Sequence, residues 1–353
     1  MKRRTTSSRK RDHVRLTVRE DVAFRSKTNG FDRWEFVHNA LPEIDLDEVD
    51  TGTEFLGRPL AMPLMVSCMT GGYREAERIN RRLAEACEEH RIAMGVGSQR
   101  QAMEDTTFHA SYTAARAGAP TVPLVGNIGA PELARMKDLS PVLRLAEMIR
   151  ADGFAVHLNP LQEFLQPEGK THFRGVLAAV ERLVKELPVP VIVKEIGAGI
   201  APDVALRLID AGVSIIDVAG AGGTSWAGVE ILRGGGSNAE TAQNPFWDWG
   251  IPTADAVIGA AKLRDRLPRL TIIGSGGIAG PMDGAKAVAL GADLFASARP
   301  LLTVLMERGP KALSQELSSW KRGLRGIMFL LGTPTVAALR GTRRIIQRPT
   351  VDP

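Results

Sequence analysis

Cysteine is almost missing from this chain: among 353 residues there are two, Cys68 and Cys87. Two thiols exclude a disulfide framework and cannot by themselves make a four-ligand zinc site, so a reducing, cytoplasmic setting is the expectation. Aromatic residues are also scarce, at 5%, whereas glycine is plentiful, at 36. That balance argues against an all-β sandwich and for helices packed closely on a parallel sheet. No apolar run approaches the length of a membrane span, and the basic N-terminus lacks the apolar stretch of a secretory signal. A spread of positive charge is lacking too. The net charge is +5, but residues 1–19 hold eight Lys and Arg against Asp12, which leaves −2 for everything after them. Basicity belongs to the N-terminal arm, so a nucleic-acid groove across the fold is not expected.

What the chain does have is rhythm. Apolar, β-branched runs recur at Leu64–Met69, Ile92–Gly95, Val122–Asn127, Phe154–Asn159, Val191–Glu195, Ile215–Val218, Thr271–Gly274 and Leu294–Ser297. Amphipathic stretches such as Ala76–His90, Pro141–Arg150, Arg174–Glu186 and Pro202–Ala211 separate them. Eight strand-like runs, most about thirty residues apart with helices between, predict an α/β fold, a single (β/α)8 TIM barrel over residues 1–353. Residues 1–62 read as an arm and a lead-in segment, with Phe31–Leu46 covering the barrel bottom or a subunit contact. Residues 220–265 are too long for one helix and read as an insertion. Three of the five tryptophans, Trp226, Trp247 and Trp249, lie there beside Gly234-Gly-Gly, which suggests either a lid over an apolar ligand or an oligomer contact.

In such a barrel, function sits at the C-terminal strand ends. Those ends read Met69-Thr70-Gly71-Gly72, Gly97-Ser98-Gln99-Arg100, Gly126-Asn127-Ile-Gly129, His157-Leu-Asn159-Pro-Leu-Gln162-Glu163, Lys194-Glu195, Gly220-Ala-Gly-Gly-Thr224, Gly274-Ser-Gly276-Gly277 and Ala298-Arg299. Each has a bland explanation alone, as a turn, a core histidine or a surface pair. Together they are costly to bury without a ligand. Glycine loops at Thr224 and Gly276–Gly277, with the helix after them and Ala298–Arg299, suit a phosphate, and Arg9, Lys10, His13 and Arg100 suit a second one. Locally the Arg9–His13 run reads as a solvated charge run, and Met1–Ser8 as a solvated tail. Glu163 is a hard oxygen ligand suited to one Mg²⁺ that also meets substrate phosphates. Asn159 and Gln162 do not titrate, so strong acid–base or redox work calls for a cofactor.

At these motifs the chain resembles the type 2, flavin-dependent isopentenyl-diphosphate isomerases, from Arg9 onward. The heptapeptide His157–Glu163 is the most discriminating match; the glycine loops are shared with other flavin barrels. The resemblance implies FMN held by Met69, Thr70, Gly71, Ser98, Asn127, Lys194, Thr224, Gly276, Gly277, Ala298 and Arg299. It implies substrate contacts from Arg9, Lys10, His13, Ser98, Arg100 and Gln162, and catalytic roles for His157, Asn159, Gln162, Lys194 and Glu230, the last in proton traffic. Mg²⁺ on Glu163, NADPH as the flavin reductant, a diphosphate substrate and a homo-oligomer, tetramer or octamer, complete the expectation. Ala201, where a serine-like residue is usual, departs from the pattern.

Two flavin or lysine chemistries compete. A 2-hydroxy-acid dehydrogenase on this barrel uses a His and an Arg after the sixth strand, where this chain has Gly220-Ala-Gly-Gly-Thr-Ser-Trp226. A Schiff-base aldolase would use Lys194 as the nucleophile and would need its pKa depressed in an apolar pocket. A flavin-binding sensor without turnover is the non-enzyme alternative.

Overall fold

Alternation within the short strands builds two apolar layers at once. Met65, Ala93, Val125, Ala155, Ile192, Ile215, Ile273 and Leu294 point into one core, while Leu64, Val66, Met94, Leu124, Phe154, Val156, Val193 and Ile216 point into another shared with the helices. Residues covered on both faces are what a parallel sheet wrapped by helices demands. In the computed structural model, which describes residues 6–235 and 244–348, the strands close into a parallel eight-stranded barrel. In chain order they are Leu64–Val66, Ala93–Gly95, Leu124–Gly129, Gly153–His157, Val191–Lys194, Ile215–Asp217, Thr271–Ser275 and Leu294–Ser297. The eighth pairs with the first through Phe295 and Leu64.

The helices follow the sequence closely where their apolar spacing is clear. Ala76–His90 buries Ile79, Leu83 and Cys87 on one face and ends at Arg91 in a left-handed conformation (φ 51°). Val176–Glu186 and Pro202–Asp210 occupy two further gaps between strands. A 22-residue helix, Pro310–Leu331, buries Leu313, Leu317, Trp320, Leu324, Met328 and Leu331 at spacings of three or four. Its Trp320 ring lies 6.5 Å from that of Phe295 on the eighth strand. Removing such a buried aromatic costs about 3–5 kcal/mol, so this helix is part of the barrel wall.

Two sequence expectations are corrected, the first of them only in its barrel-bottom alternative for Phe31–Leu46 and not in that of a subunit contact. The barrel bottom is closed by the hairpin Thr53–Leu60, whose Phe55 and Leu60 enter the inner core, with Leu56 beside it. Phe31–Leu46 lies outside: Trp34–Phe36 pairs antiparallel with Ile345–Gln347, and Phe31 packs into the outer core. The second correction concerns the arm. Thr6–Ser8, expected as solvated tail, begin a helix that runs to Arg19, because Leu16 gains a seat with Val22 and Val229 while Trp226 and Leu232 pack beside them. Residues 1–5 lie outside the described residues.

Between the sixth and seventh strands come the loop 220–225, the helix Trp226–Arg233 and, after residues that are not described, the helix Thr253–Ala261. The three tryptophans have three different surroundings. Trp226 meets His13 edge-on at 5.2 Å. Trp247 is buried, with Arg25 over its ring at 3.8 Å and its indole N–H donated to the Ala23 carbonyl. Trp249 is exposed. Gly234 and Gly235 follow the helix, and Gly236 lies outside the described residues.

Candidate active site

The polar strand ends and the N-terminal helix enclose one cavity of about 600 Å³. It is lined by every site residue expected from the sequence except Glu230: Arg9, Lys10, His13, Met69, Thr70, Gly71, Ser98, Arg100, Asn127, His157, Asn159, Gln162, Glu163, Lys194, Thr224, Gly276, Gly277, Ala298 and Arg299. Glu230 stands just behind the wall. The Arg9–His13 segment is thus part of the cavity and not a solvated run.

The helix over the mouth explains how the cations converge. It is tied at one end by Lys10, whose ammonium donates to the Ser98 carbonyl and to the Tyr112 hydroxyl (3.0 Å). His13 Nε2 lies 2.8 Å from Glu230 Oε1. Beyond the helix, the Glu20 carbonyl accepts from Arg299 at 3.3 Å. Burial pushes the Lys10 ammonium down to about 7, and the charge of Arg9 adds to the effect. Burial and the Arg100 charge push Arg9 down as well. Arg100 itself is gripped by Glu104 and Glu132, each at 3.0 Å, and Lys170 reaches Glu132 at 3.3 Å. Such a cluster of partly desolvated cations is unfavourable alone and favours an anionic ligand.

From the fourth strand a polar chain runs across the cavity wall. His157 Nδ1 lies 2.8 Å from Asn127 Oδ1, and the Asn127 amide nitrogen donates to the Val96 carbonyl at 3.4 Å. That orientation makes Nδ1 the donor and leaves Nε2 as an acceptor. Burial, together with the Lys194 and Lys10 charges, holds the imidazole pKa down at about 3, so His157 is neutral. Asn159 Nδ2 donates to Gln162 Oε1 (3.1 Å) and Glu163 Oε1 (3.2 Å), leaving its buried Oδ1 without a partner. Gln162 Nε2 donates to Glu230 Oε1 at 2.9 Å. Arg233 holds the other Glu230 oxygen at 2.7 Å and reaches Glu168 at 2.6 Å. Burial alone pushes the Glu230 carboxyl up, but the hydrogen bond and charge of His13, the charge of Arg233 and the Gln162 hydrogen bond bring it down to about 2.

The glycine loops do more than approach a ligand. A Cβ on Gly276 (φ +105°) would lie 2.1 Å from the Gly220 carbonyl oxygen, and one on Gly277 (φ +70°) 2.7 Å from that of Gly222. The loops after the sixth and seventh strands therefore need glycine to pack on each other, which leaves bare backbone on the cavity wall. The helix after the seventh strand, Pro281–Ala289, does not begin in the cavity: its Asp283 caps the Ala279 N–H, and residues 280–284 are not in the lining. It is the helix after the eighth strand, Arg299–Arg308, whose first turn lines it. The positive end of its dipole suits a phosphate.

Sequence reasoning missed Glu132, Tyr112, Gln166 and Arg233. Glu132 and Gln166 line the cavity, while Tyr112 and Arg233 hold residues that were expected there. Glu132 was within reach, since it follows the polar end of the third strand by three residues. Glu163 accepts from Asn159 Nδ2 and from the Lys170 N–H (2.5 Å). Among the described residues no three His, Cys, Asp or Glu side chains group around a metal position.

Residues 2–119 and 148–347 match the family model described as FMN-dependent dehydrogenase. The isopentenyl-diphosphate delta-isomerase of Pelodictyon phaeoclathratiforme is 46% identical, with 98% of each chain covered. The chain belongs to the isopentenyl-diphosphate delta-isomerase family of FMN-dependent barrels. Its relatives also include the isopentenyl-diphosphate delta-isomerase of Chlorobaculum parvum, 46% identical over 95% of this chain and 96% of that one, and that of Pseudescherichia vulneris, 48% identical over 86% of each. Among solved structures, a flavocytochrome b2 variant superposes with a TM-score of 0.69 at 17% identity, covering 95% of this chain and 82% of that one. A mandelate oxidase variant does so with 0.64 at 19%, covering 97% and 98%. At these identities the likeness is one of fold.

Proposed function

We propose that this protein interconverts isopentenyl diphosphate and dimethylallyl diphosphate by a 1,3-allylic proton shift with reduced FMN as the acid–base group, a step of isoprenoid biosynthesis. The observation that carries the reading is the wall presented after the fourth strand. A neutral histidine and two amides pinned between carboxylates stand beside a cluster of cations. These side chains bind and orient a diphosphate and its hydrocarbon, but they offer no acid strong enough to protonate an unactivated alkene.

Arg9, Lys10 and Arg100 neutralise the diphosphate, with His13, Ser98 and the Nε2 of His157 completing its contacts. Asn159 and Gln162 face the reacting carbons and keep them from turning. Glu230 remains an anion at neutral pH, so its part is to fix Gln162 and His13 rather than to donate a proton. Met69, Thr70, Gly71, Ser98, Asn127, Lys194, Thr224, Gly276, Gly277, Ala298 and Arg299 fit FMN, because bare glycine backbone and a helix N-terminus suit its phosphate and an ammonium suits a polar ring edge. Bound and reduced, FMN supplies an acid–base atom and an electron-rich ring against which developing positive charge is offset. Glu163 suits Mg²⁺ with the diphosphate and water completing its shell, since among the described residues no three His, Cys, Asp or Glu side chains group around a metal position. NADPH serves as reductant and is not consumed in the isomerisation.

Residues 220–265 act in this reading as an insertion that closes over the hydrocarbon through Trp226. The exposed Phe164 and Trp249, joined through Phe246, offer a surface for a homo-oligomer, a tetramer or octamer. Among the described residues no helix is long and apolar enough to cross a membrane, and a cytoplasmic site of action is in keeping with the two thiols.

The test is turnover by FMN-loaded protein. Oxidised protein should be inert, and dithionite or NADPH should switch on isomerisation with no net NADPH consumed. Reconstitution with 5-deazaFMN, which lacks the proton-carrying nitrogen, should give a bound but inactive complex. Isomerisation by flavin-free protein would refute the mechanism, and stoichiometric NADPH consumption would move the reading to a dehydrogenase.

A further inference from the structure

Lys194, which ends the fifth strand, is the ammonium on the cavity floor, and its neighbour in sequence does not balance it. The Glu195 carboxylate turns away and accepts three backbone N–H groups, from Ile196, Gly197 and Ala198, at 2.5–2.7 Å. The counter-charge comes instead from Asp217, which ends the sixth strand in register with Lys194. Asp217 Oδ2 lies 3.6 Å from Lys194 Nζ, and its Oδ1 accepts from the Ser275 hydroxyl at 2.5 Å. Asp217 is 1% exposed and lies outside the cavity lining, whereas Lys194 and Ser275 belong to it. The Lys194 ammonium also donates to the Glu195 carbonyl (2.5 Å), His157 is neutral, and burial pushes the Cys68 thiol up to about 12.

We propose that Asp217, acting through Lys194, is a positioning residue that sets how readily the bound flavin is reduced. The inference rests on the FMN reading above. Two-electron reduction with uptake of one proton leaves the flavin ring with one more negative charge. An ammonium beside the ring favours that change. A buried carboxylate just behind the ammonium opposes it and at the same time fixes where the ammonium stands. Carboxylate and ammonium together keep the reduction potential lower than Lys194 alone would set it. The lower potential makes the reduced ring more electron-rich, and so better able to offset positive charge developing beside it, although it also gives up electrons more readily.

The experiment is a midpoint-potential titration of FMN-loaded wild type, Asp217→Asn and Ser275→Ala, followed through the flavin absorption spectrum. Asp217→Asn keeps the shape and removes the charge, and its potential should shift upward. Ser275→Ala keeps both charges but removes the hydrogen bond that draws the carboxylate off Lys194, and its potential should shift downward. Should Asp217→Asn not fold, Ser275→Ala decides alone. A potential unmoved or lowered by Asp217→Asn, or unmoved or raised by Ser275→Ala, overturns the proposal, since a merely structural Asp217 would change stability and not potential. Wild-type protein that takes up no FMN would instead overturn the flavin reading, and with it the inference.

Discussion

Glu230→Gln tests whether the carboxylate behind the cavity wall is a clamped anion. Its oxygens receive Gln162 (2.9 Å), His13 (2.8 Å) and Arg233 (2.7 Å), and its pKa falls from an ordinary 4.5 to about 2. That gap corresponds to about 3 kcal/mol of folding stability tied to the ionised form. A depressed carboxyl contributes in full above its unfolded pKa and loses the contribution as pH falls through the folded one. The wild type should therefore exceed the variant by about 3 kcal/mol at both pH 7 and pH 5, and by about 2 kcal/mol at pH 3.5. Glutamine keeps one acceptor oxygen but turns its amide nitrogen toward the donors on the other, either Arg233 or Gln162 and His13, so it does not restore the cluster. Equilibrium urea unfolding of both proteins at the three pH values measures the difference. A loss below about 0.5 kcal/mol at pH 7, the scale of an ordinary surface substitution, would refute the clamp.

Two further outcomes follow from the cations and the metal. Burial and the Arg9 charge hold Lys10 down at about 7, and a lysine loses its charge as pH rises through its pKa; the KM for the diphosphate should rise above pH 7, and Lys10→Arg should flatten that rise. A KM flat from pH 6 to 9 in the wild type would remove Lys10 from the headgroup site. Glu163→Gln should raise the Mg²⁺ concentration needed for activity while FMN content, read from the flavin spectrum, stays at the wild-type level; unaltered Mg²⁺ dependence would take Glu163 out of the metal role.

The barrel was legible because its signal is local and repeated. Each strand is an apolar run of a few residues, and Ala76–His90, with Ile79, Leu83 and Cys87 on one face, is read from spacing alone with the bounds the structure has. The polar strand ends were legible for a related reason: in a closed barrel, chain order already brings them to one rim. What stayed hidden depends on distant partners. Nothing near Thr53–Leu60 announces that Phe55 and Leu60 will plug the inner core. The start of the N-terminal helix looks like a charged tail because its seat is made by Trp226, Val229 and Leu232, more than two hundred residues away. Tyr112 and Arg233 are invisible as site residues for the same reason, since each acts on a side chain brought to it by the fold.

The shared barrel also explains why a flavin fold of oxidases and dehydrogenases can host a different reaction. After the sixth strand, where a hydroxy-acid dehydrogenase would mount its histidine and arginine, the backbone of 220–223 is pressed against Thr253, the Asn29 segment and Gly276–Gly277, with a Cβ at Gly220, Gly222 or Gly223 meeting backbone within 2.5 Å. No reactive side chain can stand at those positions. The polar groups are supplied instead by the fourth strand and by the helix across the mouth, fastened at Ser98, Glu230 and, just past its end, Arg299. On the proposed reading, the headgroup relieves the mutual repulsion of Arg9, Lys10 and Arg100 when it binds. Seating of the helix and binding of the diphosphate are then one event, and the non-reacting end of the substrate provides the free energy that shuts water out of the reacting one.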